Sequence, residues 1–407
     1  MILYENFTKE GFNQAQMLAD VFKISDSTMC LDIEPENLII YSIDRIKKEG
    51  LYVMEVDSKN MFTDILFPIK GGKPLYSQES EEYFFYYYDN MIKDGFTEEL
   101  IEEVKNVGYY MKYNDLTIIP SEYLMTTLCR QIGCSKLPDM PDPIRELFIA
   151  HLLRDADNFK MIIRQEGGMA KALACFSDGY NYIPQKQVIE DLLKVIEGEE
   201  SLSVSVNYYK ITQFKTQIRF EFPEMSKLIA LGNKKKKVVP SIIFTMSDSG
   251  DYSYRLQSYI GINGQGVYVG EPISLQHRGS TDIACLVREY VLKGLPMLKE
   301  AIRDIEYVSS KTDETVDYKD VYIKILEDIN FTSAIGVKLY NDLKKDIEDR
   351  VCTSKELLFE LLDINGRINK LNFEERGKFP PESTMARSEK QLGEIFNSGV
   401  AKDVFGW

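Results

Sequence analysis

Five β-type runs follow one another between residues 202 and 269, with no helical segment among them: Leu202–Lys210, Thr216–Phe222, Val238–Thr245, Tyr252–Gly261 and Gly266–Val269. Parallel neighbours need a crossover of a dozen or more residues, usually helical, so successive strands of this kind pair antiparallel. A predicted helix precedes them, Gln185–Ile196, with Val188, Ile189, Leu192, Leu193 and Ile196 at inward spacing. A longer one, from about Thr281 to Asp304, follows them. Lys160–Arg164 and Met169–Phe176 flank the turn Glu166-Gly167-Gly168 and read as a hairpin. The expectation is an α+β protein with a central antiparallel sheet and packed helices.

Pro138, Pro141 and Pro143 mark the clearest joint in the chain. It separates an acidic α+β N-terminal region (1–140) from the central α+β domain (141–305), and a helical C-terminal region (306–407) follows. In the first region Gln14–Lys23 has helical spacing, while Leu38–Ile43, Leu51–Val56, Met61–Phe67, Gly108–Tyr113 and Leu116–Ile119 read as strands. Ser121 is placed to cap a helix running to about Arg130, and Asp142 to cap one beginning at Pro143 and carrying Ile144, Leu147, Phe148, His151 and Leu152 on one face. The aromatics of Glu79–Asp94 read as core packing. In the last region Thr353-x-x-Glu356 is a capping box.

Catalytic motifs are missing. The chain has two histidines: His151 falls on an apolar helix face, and His277 has no nucleophile elbow near it. The stretch Gly261–Gly270 departs from the dinucleotide fingerprint, with Val269 where a glycine is needed, and lies between strands. Asp155 and Asp157 read as a solvated helix end, so no metal or cofactor is expected. The six cysteines are dispersed, as expected of free thiols in a reducing cytoplasm. The N-terminal residues lack a signal-peptide pattern, and no apolar run is long enough for a membrane span. The reading is of a non-enzymatic cytoplasmic protein.

Charge singles out one stretch. Residues 201–250 hold eight Lys/Arg against three Asp/Glu, a net of +5, in a chain of net −15, which leaves −20 for the remainder. Aromatics are interleaved with these cations, the pattern of surfaces that bind single strands by tracking phosphates and stacking bases. Lys210, Lys215, Arg219, Lys234, Lys235, Lys236, Lys237, Arg255 and Arg278 are the candidate phosphate contacts; Tyr208, Tyr209 and Tyr254 are the candidate stacking rings. Strand alternation sets Lys215, Gln217 and Arg219 opposite Ile218, Phe220 and Phe222. The bland reading of Lys234–Lys237, which follows Gly232-Asn233, is a solvated loop tip.

Arg164, Gly168, Ala172, Ser177, Asp178, Tyr180 and Ile183, then Ser247, Gly250 and Ser253, Asn263-Gly264, and His277 with Gly279 form an ordered set. In these positions the chain over roughly 140–305 resembles a phage- and plasmid-encoded family known as domain of unknown function 932. Lys171 stands where that pattern has arginine, and Ile262 where it often has cysteine. The resemblance implies a mobile-element protein made in a bacterial host, encoded among genes for replication, recombination and anti-restriction. The leading expectation is a phage-type protein that binds single-stranded DNA and assists recombination, annealing or replication. The alternatives are a protein that acts on a host defence or regulatory protein through its acidic surface (Glu79, Glu81, Glu82; Glu98, Glu99, Glu102, Glu103), and a homo-oligomeric virion or assembly component.

Overall fold

The structure, a computed structural model, describes residues 2–43 and 91–310, with breaks at 94, 140–143, 154, 200–201, 232–233, 249–253, 263–264 and 276–282. It also describes segments 53–56, 69–70, 73–74, 315–317 and 351–353 and residue 341. Among these are helices α1 (Gln14–Ser27), α2 (Glu98–Val107), α3 (Leu124–Gln131), α4 (Ile144–Leu153), α5 (Gln185–Glu199) and α6 (Ile283–Ser310).

The strands form two large sheets rather than the single central one expected from the sequence. The first is antiparallel: β1 (Thr8–Gly11), β11 (Ser205–Thr212), β12 (Thr216–Glu221), β14 (Lys234–Met246), β15 (Tyr254–Ile262) and β16 (Gln265–Leu275) lie side by side in that order. β13 (Lys227–Leu231) pairs with the start of β14. The second sheet is mixed: β2 (Thr28–Ile33), β9 (Phe159–Glu166), β10 (Met169–Ser177), β8 (Leu116–Pro120), β7 (Tyr109–Tyr113), β3 (Leu38–Ile43) and β4 (Val53–Val56). Its one parallel pairing joins β8 to β10. Two small antiparallel pairs, β5 (Ile69–Lys70) with β6 (Lys73–Pro74) and β17 (Thr315–Asp317) with β18 (Val351–Thr353), complete the described strands.

Both sheets take strands from both sides of Pro138–Pro143, because β1 joins β11 and β2 joins β9. The physical cause is α1. Asn13 caps its first turn, accepting from the Gln16 amide, and the chain enters β2 directly at its end, so one short unit delivers a strand to each sheet.

Two cores result. In one, the inner face of the antiparallel sheet (Tyr209, Ile218, Phe220, Phe244, Leu256) packs on α1 (Met17, Val21), α5 (Val188, Leu192) and α6 (Val291, Leu298). In the other, the mixed sheet buries Ile40, Met111 and Ile163 against α3 (Leu124, Leu128) and α4 (Ile149, Leu153). Ser121 does not cap α3; its hydroxyl donates to the Leu173 carbonyl at 3.0 Å and ties the loop to β10. The expected strand Met61–Phe67, the aromatics of 79–90, the Asp142 cap and Glu356 of the capping box lie outside the described residues.

Candidate nucleic-acid interface and a buried polar junction

The basic residues divide between two places. The alternation expected for β12 is present: Thr216, Ile218 and Phe220 point inward, while Gln217, Arg219 and Glu221 lie on the opposite face. Cross-strand register adds Tyr208 and Lys210 of β11 to that second face, opposite Arg219 and Gln217. Acids interrupt it. Glu10 of β1 is the register partner of Lys210 and accepts from the Tyr208 hydroxyl at 3.3 Å. Arg219 is held within the protein: its guanidinium lies 4.4 Å from the Tyr259 ring centroid, 3.7 Å from Glu221, and donates to Ser241. Gly261 makes room for it, since a Cβ there would come within 2.1 Å of Arg219 Nη2. Arg255 is half-buried and reaches Gln257. Lys215 closes the tight β11–β12 turn, its amide donating to Thr212 Oγ1.

The candidate stacking rings divide as well. Tyr209 is buried and donates to Asp20 at 2.6 Å. Tyr254 is buried and donates to the Ile183 carbonyl at 2.8 Å. Neither ring has a face open to a base. Their residues fall on the inward phase of β11 and β15, which the aromatic count in the sequence did not reveal. Tyr208 is on the second face, half-buried and packed against the exposed Phe12 at 5.7 Å between ring centroids.

Lys234–Lys237 is not a loop tip. It forms the first four positions of β14, in antiparallel register with Leu231, Ala230, Ile229 and Leu228 of β13. β15 leaves β14 at Val238, so the four lysines sit on a two-stranded ribbon that runs past the body of the sheet. Lys237 and Leu228 are exposed, Leu228 by 69%. At the ribbon's base Lys227 pairs with Glu306 of α6 at 3.0 Å. Arg278 and His277 lie outside the described residues.

Sequence reasoning missed a second feature. Arg164 of β9 is 1% exposed, at the junction of the two sheets. Its Nη2 meets Asp248 Oδ2 at 3.3 Å, its Nη1 donates to Gln213 Oε1 at 2.9 Å, and its Nε donates to Thr28 Oγ1. Gln185, at the start of α5, donates to the same Asp248 oxygen at 2.7 Å and accepts from Thr216 at 2.8 Å. Burial pushes Asp248 above the ordinary carboxylate range against the pull of Arg164, and pushes Arg164 below its ordinary value against the pull of Asp248. Tyr180 and Tyr182 are raised well above the usual tyrosine range, first by burial and then by the charge of Asp248. The one available signal was the ordered motif: Arg164 and Tyr180 belong to its first piece and Ser247, beside Asp248, to its second, and the fold brings the two pieces to this junction.

A third cluster fixes the N-terminal segment. Lys171 of β10 is fully buried, 2.7 Å from Glu5 and 2.9 Å from Glu103 of α2. Glu103 is thereby turned inward, leaving Glu98, Glu99 and Glu102 as the exposed acids of that helix; Glu79, Glu81 and Glu82 lie outside the described residues. Asp155 and Asp157 are exposed, and among the described residues no three His, Cys, Asp or Glu converge as a metal site. No helix among the described residues is long and apolar enough to cross a membrane. Comparison with known proteins finds no matching family model, no similar curated protein and no similar solved structure, so the resemblance of 140–305 rests on its motif residues.

Proposed function

We propose that this chain is a non-enzymatic nucleic-acid-binding protein, of the phage type its motif residues suggest, and that the ribbon β13–β14 is its main contact. The observation that carries the reading is the position of Lys234–Lys237: four consecutive cations on a two-stranded ribbon that extends past the sheet, on an otherwise acidic body. Such a ribbon can track phosphates or enter a groove, which admits two β-strands. Lys210 and Lys215 of the adjoining face add positive charge. Arg219 contributes less, because its side chain is only 12% exposed and lies over the Tyr259 ring. With Tyr209 and Tyr254 turned inward, recognition rests on phosphate rather than on stacked bases. That favours sequence-independent binding, suited to a role in recombination, annealing or replication.

The test is fluorescence anisotropy with a single-stranded oligonucleotide and with a duplex of the same sequence, at low and at physiological salt. Binding that weakens steeply with salt, and that changing Lys234–Lys237 to alanine weakens further, supports the proposal. Absence of binding to both oligonucleotides at low salt overturns it.

A further inference from the structure

Lys234–Lys237 occupies four successive positions of a strand, and a strand gives successive residues to opposite faces. Val238, Ile242, Phe244 and Met246 carry the buried phase of β14 into the core. Lys234 and Lys236 continue that phase outward. Lys235 and Lys237 continue the phase of Ile243, the register partner of Arg219 on the second face. The run therefore sets two lysines on each face of the ribbon, so a single strand laid along either face has two of the four to meet. β13 is of the opposite character. Its residues Leu228, Ile229, Ala230 and Leu231 stand opposite the four lysines in unbroken register, and none is charged. α6 meets the ribbon at its base, where Lys227, the register partner of Val238, pairs with Glu306. Lys236 and Lys234 lie two and four positions beyond Val238, about 7 and 13 Å farther along the strand.

A ribbon with cations on both faces and an uncharged outer strand suits a ligand that surrounds it. A duplex groove does so: phosphates line both walls, and base edges form the floor. Size selects the groove. With side chains on both faces a ribbon is about 10 Å thick, the spacing of stacked sheets. The major groove is about 12 Å wide and 8.5 Å deep, whereas the minor groove is about 6 Å wide. The ribbon fits the first and not the second. We propose, on the reading that the ribbon binds nucleic acid, that its ligand is double-stranded and that it enters the major groove edge-on, β13 foremost. Lys235 and Lys237 then serve the phosphates of one wall, and Lys234 and Lys236 those of the other. β13 runs along the floor, where thymine methyl groups are apolar partners for an uncharged strand. β14 lies about 5 Å nearer the rim, at the level of the phosphates. Leu228, at 69% exposed, is an apolar residue that this contact would cover.

Salt titrations of the full chain with a short duplex and with its separate strands test this, using two double variants. One is Lys234→Gln with Lys236→Gln, the other Lys235→Gln with Lys237→Gln; glutamine keeps a long polar side chain at each position, and an unchanged melting temperature confirms the fold. The duplex is expected to bind more tightly than either strand. Each double variant is expected to flatten the duplex plot of log affinity against log salt by about 1.8, two phosphate contacts at about 0.9 each. Dimethyl sulfate footprinting reads the groove directly: guanine N7 lies in the major groove and adenine N3 in the minor. Protection of guanine N7 is expected. Three results would each overturn the groove while leaving nucleic-acid binding by the ribbon in place: a duplex slope that responds to one double variant only, a single strand bound as tightly as the duplex, or protection confined to adenine N3. Failure of both forms to bind, or binding whose slopes neither variant alters, overturns the ribbon's role and the groove with it.

Discussion

Arg164 and Asp248 stand 84 residues apart in the chain and 3.3 Å apart in the fold, and both are 1% exposed at their side chains. The pair joins β9 of the mixed sheet to the segment just after β14 of the antiparallel one. Breaking a buried pair on one side leaves the other charge uncompensated, which costs about 3–5 kcal/mol. Arg164→Met is therefore expected to lower unfolding free energy by about that amount in urea titrations. Combining it with Asp248→Leu is expected to cost less than the sum of the single changes, because neither charge is then stranded.

Acid should treat this junction unusually. Burial holds the folded pKa of Asp248 above the ordinary 3.8, so the folded protein binds that proton more tightly than the unfolded chain does. Its contribution favours folding at acidic pH and is lost as pH rises from 3.8 through the folded value. The stability difference, wild type minus Asp248→Asn, is expected to shrink steadily as pH is raised from 4 toward 7. A constant difference would show that Asp248 titrates normally.

Lys171 offers a cleaner stability test. It is fully buried between Glu5 and Glu103, and Glu5 also accepts from the Glu122 amide. Lys171→Ala leaves two carboxylates facing one another in a partly buried site. A loss of about 3–5 kcal/mol is expected. Increased proteolysis near the N-terminus should accompany it, since Glu5 is one of the anchors of that segment.

Gly261→Ala should separate packing from binding. The new methyl would displace Arg219 from the Tyr259 face, at a cost of about 1 kcal/mol in lost cation–π contact. The released guanidinium then joins the second face of the sheet. Oligonucleotide affinity should hold or improve while melting temperature falls; a parallel loss of both would mean that Arg219 binds best where it is.

Counterion release gives the ribbon a numerical test. If all four lysines of Lys234–Lys237 contact phosphate, their removal should flatten the plot of log affinity against log salt for a single strand by roughly 3 units of slope. A change of less than about 1 unit would mean that phosphate is bound elsewhere.

Thiol labelling checks the burial pattern. Cys285 is exposed on α6, whereas Cys129 and Cys175 are buried and burial pushes the Cys175 thiol well above its ordinary value. Cys285 should react within the mixing time of a mild reagent, and the other two only on unfolding. Cys30, half-buried and also raised by burial, should fall between them.

Much of the local structure was legible in the sequence. The hairpin around Gly167 carries its turn signal, since that residue has φ +66°, and Val188, Ile189, Leu192 and Ile196 mark the buried face of α5 by their spacing. The helix α2 was legible and overlooked. Thr97 caps it through the Leu100 amide, Glu98 and Glu99 fill its first turn, and Gly108 ends it in a left-handed conformation. β13 was harder to see, because Gly232-Asn233 and the lysines that follow it have the composition of a loop. Only pairing with Leu228–Leu231 makes the lysine run a strand. The junction at Arg164 was beyond local reading: β9, the β11–β12 turn, α5 and the end of β14 carry its residues, and no window of sequence contains them all. The motif pieces were visible in order, but not their meeting place.

The pairing of Thr8 with Thr212 also sets a timetable. A ribosome that has just released β1 must add some two hundred further residues before the strand's neighbour exists, about 10–40 s at ordinary elongation rates. Through that interval α1 is available, but β1 has no neighbour, and β2 gains its own only when β9 has been made. An exposed strand edge held open so long is an invitation to pair wrongly. β1 meets that hazard with the charged residues Lys9 and Glu10 and only four positions in all, so the element that waits longest for its partner is among the least able to stick to another.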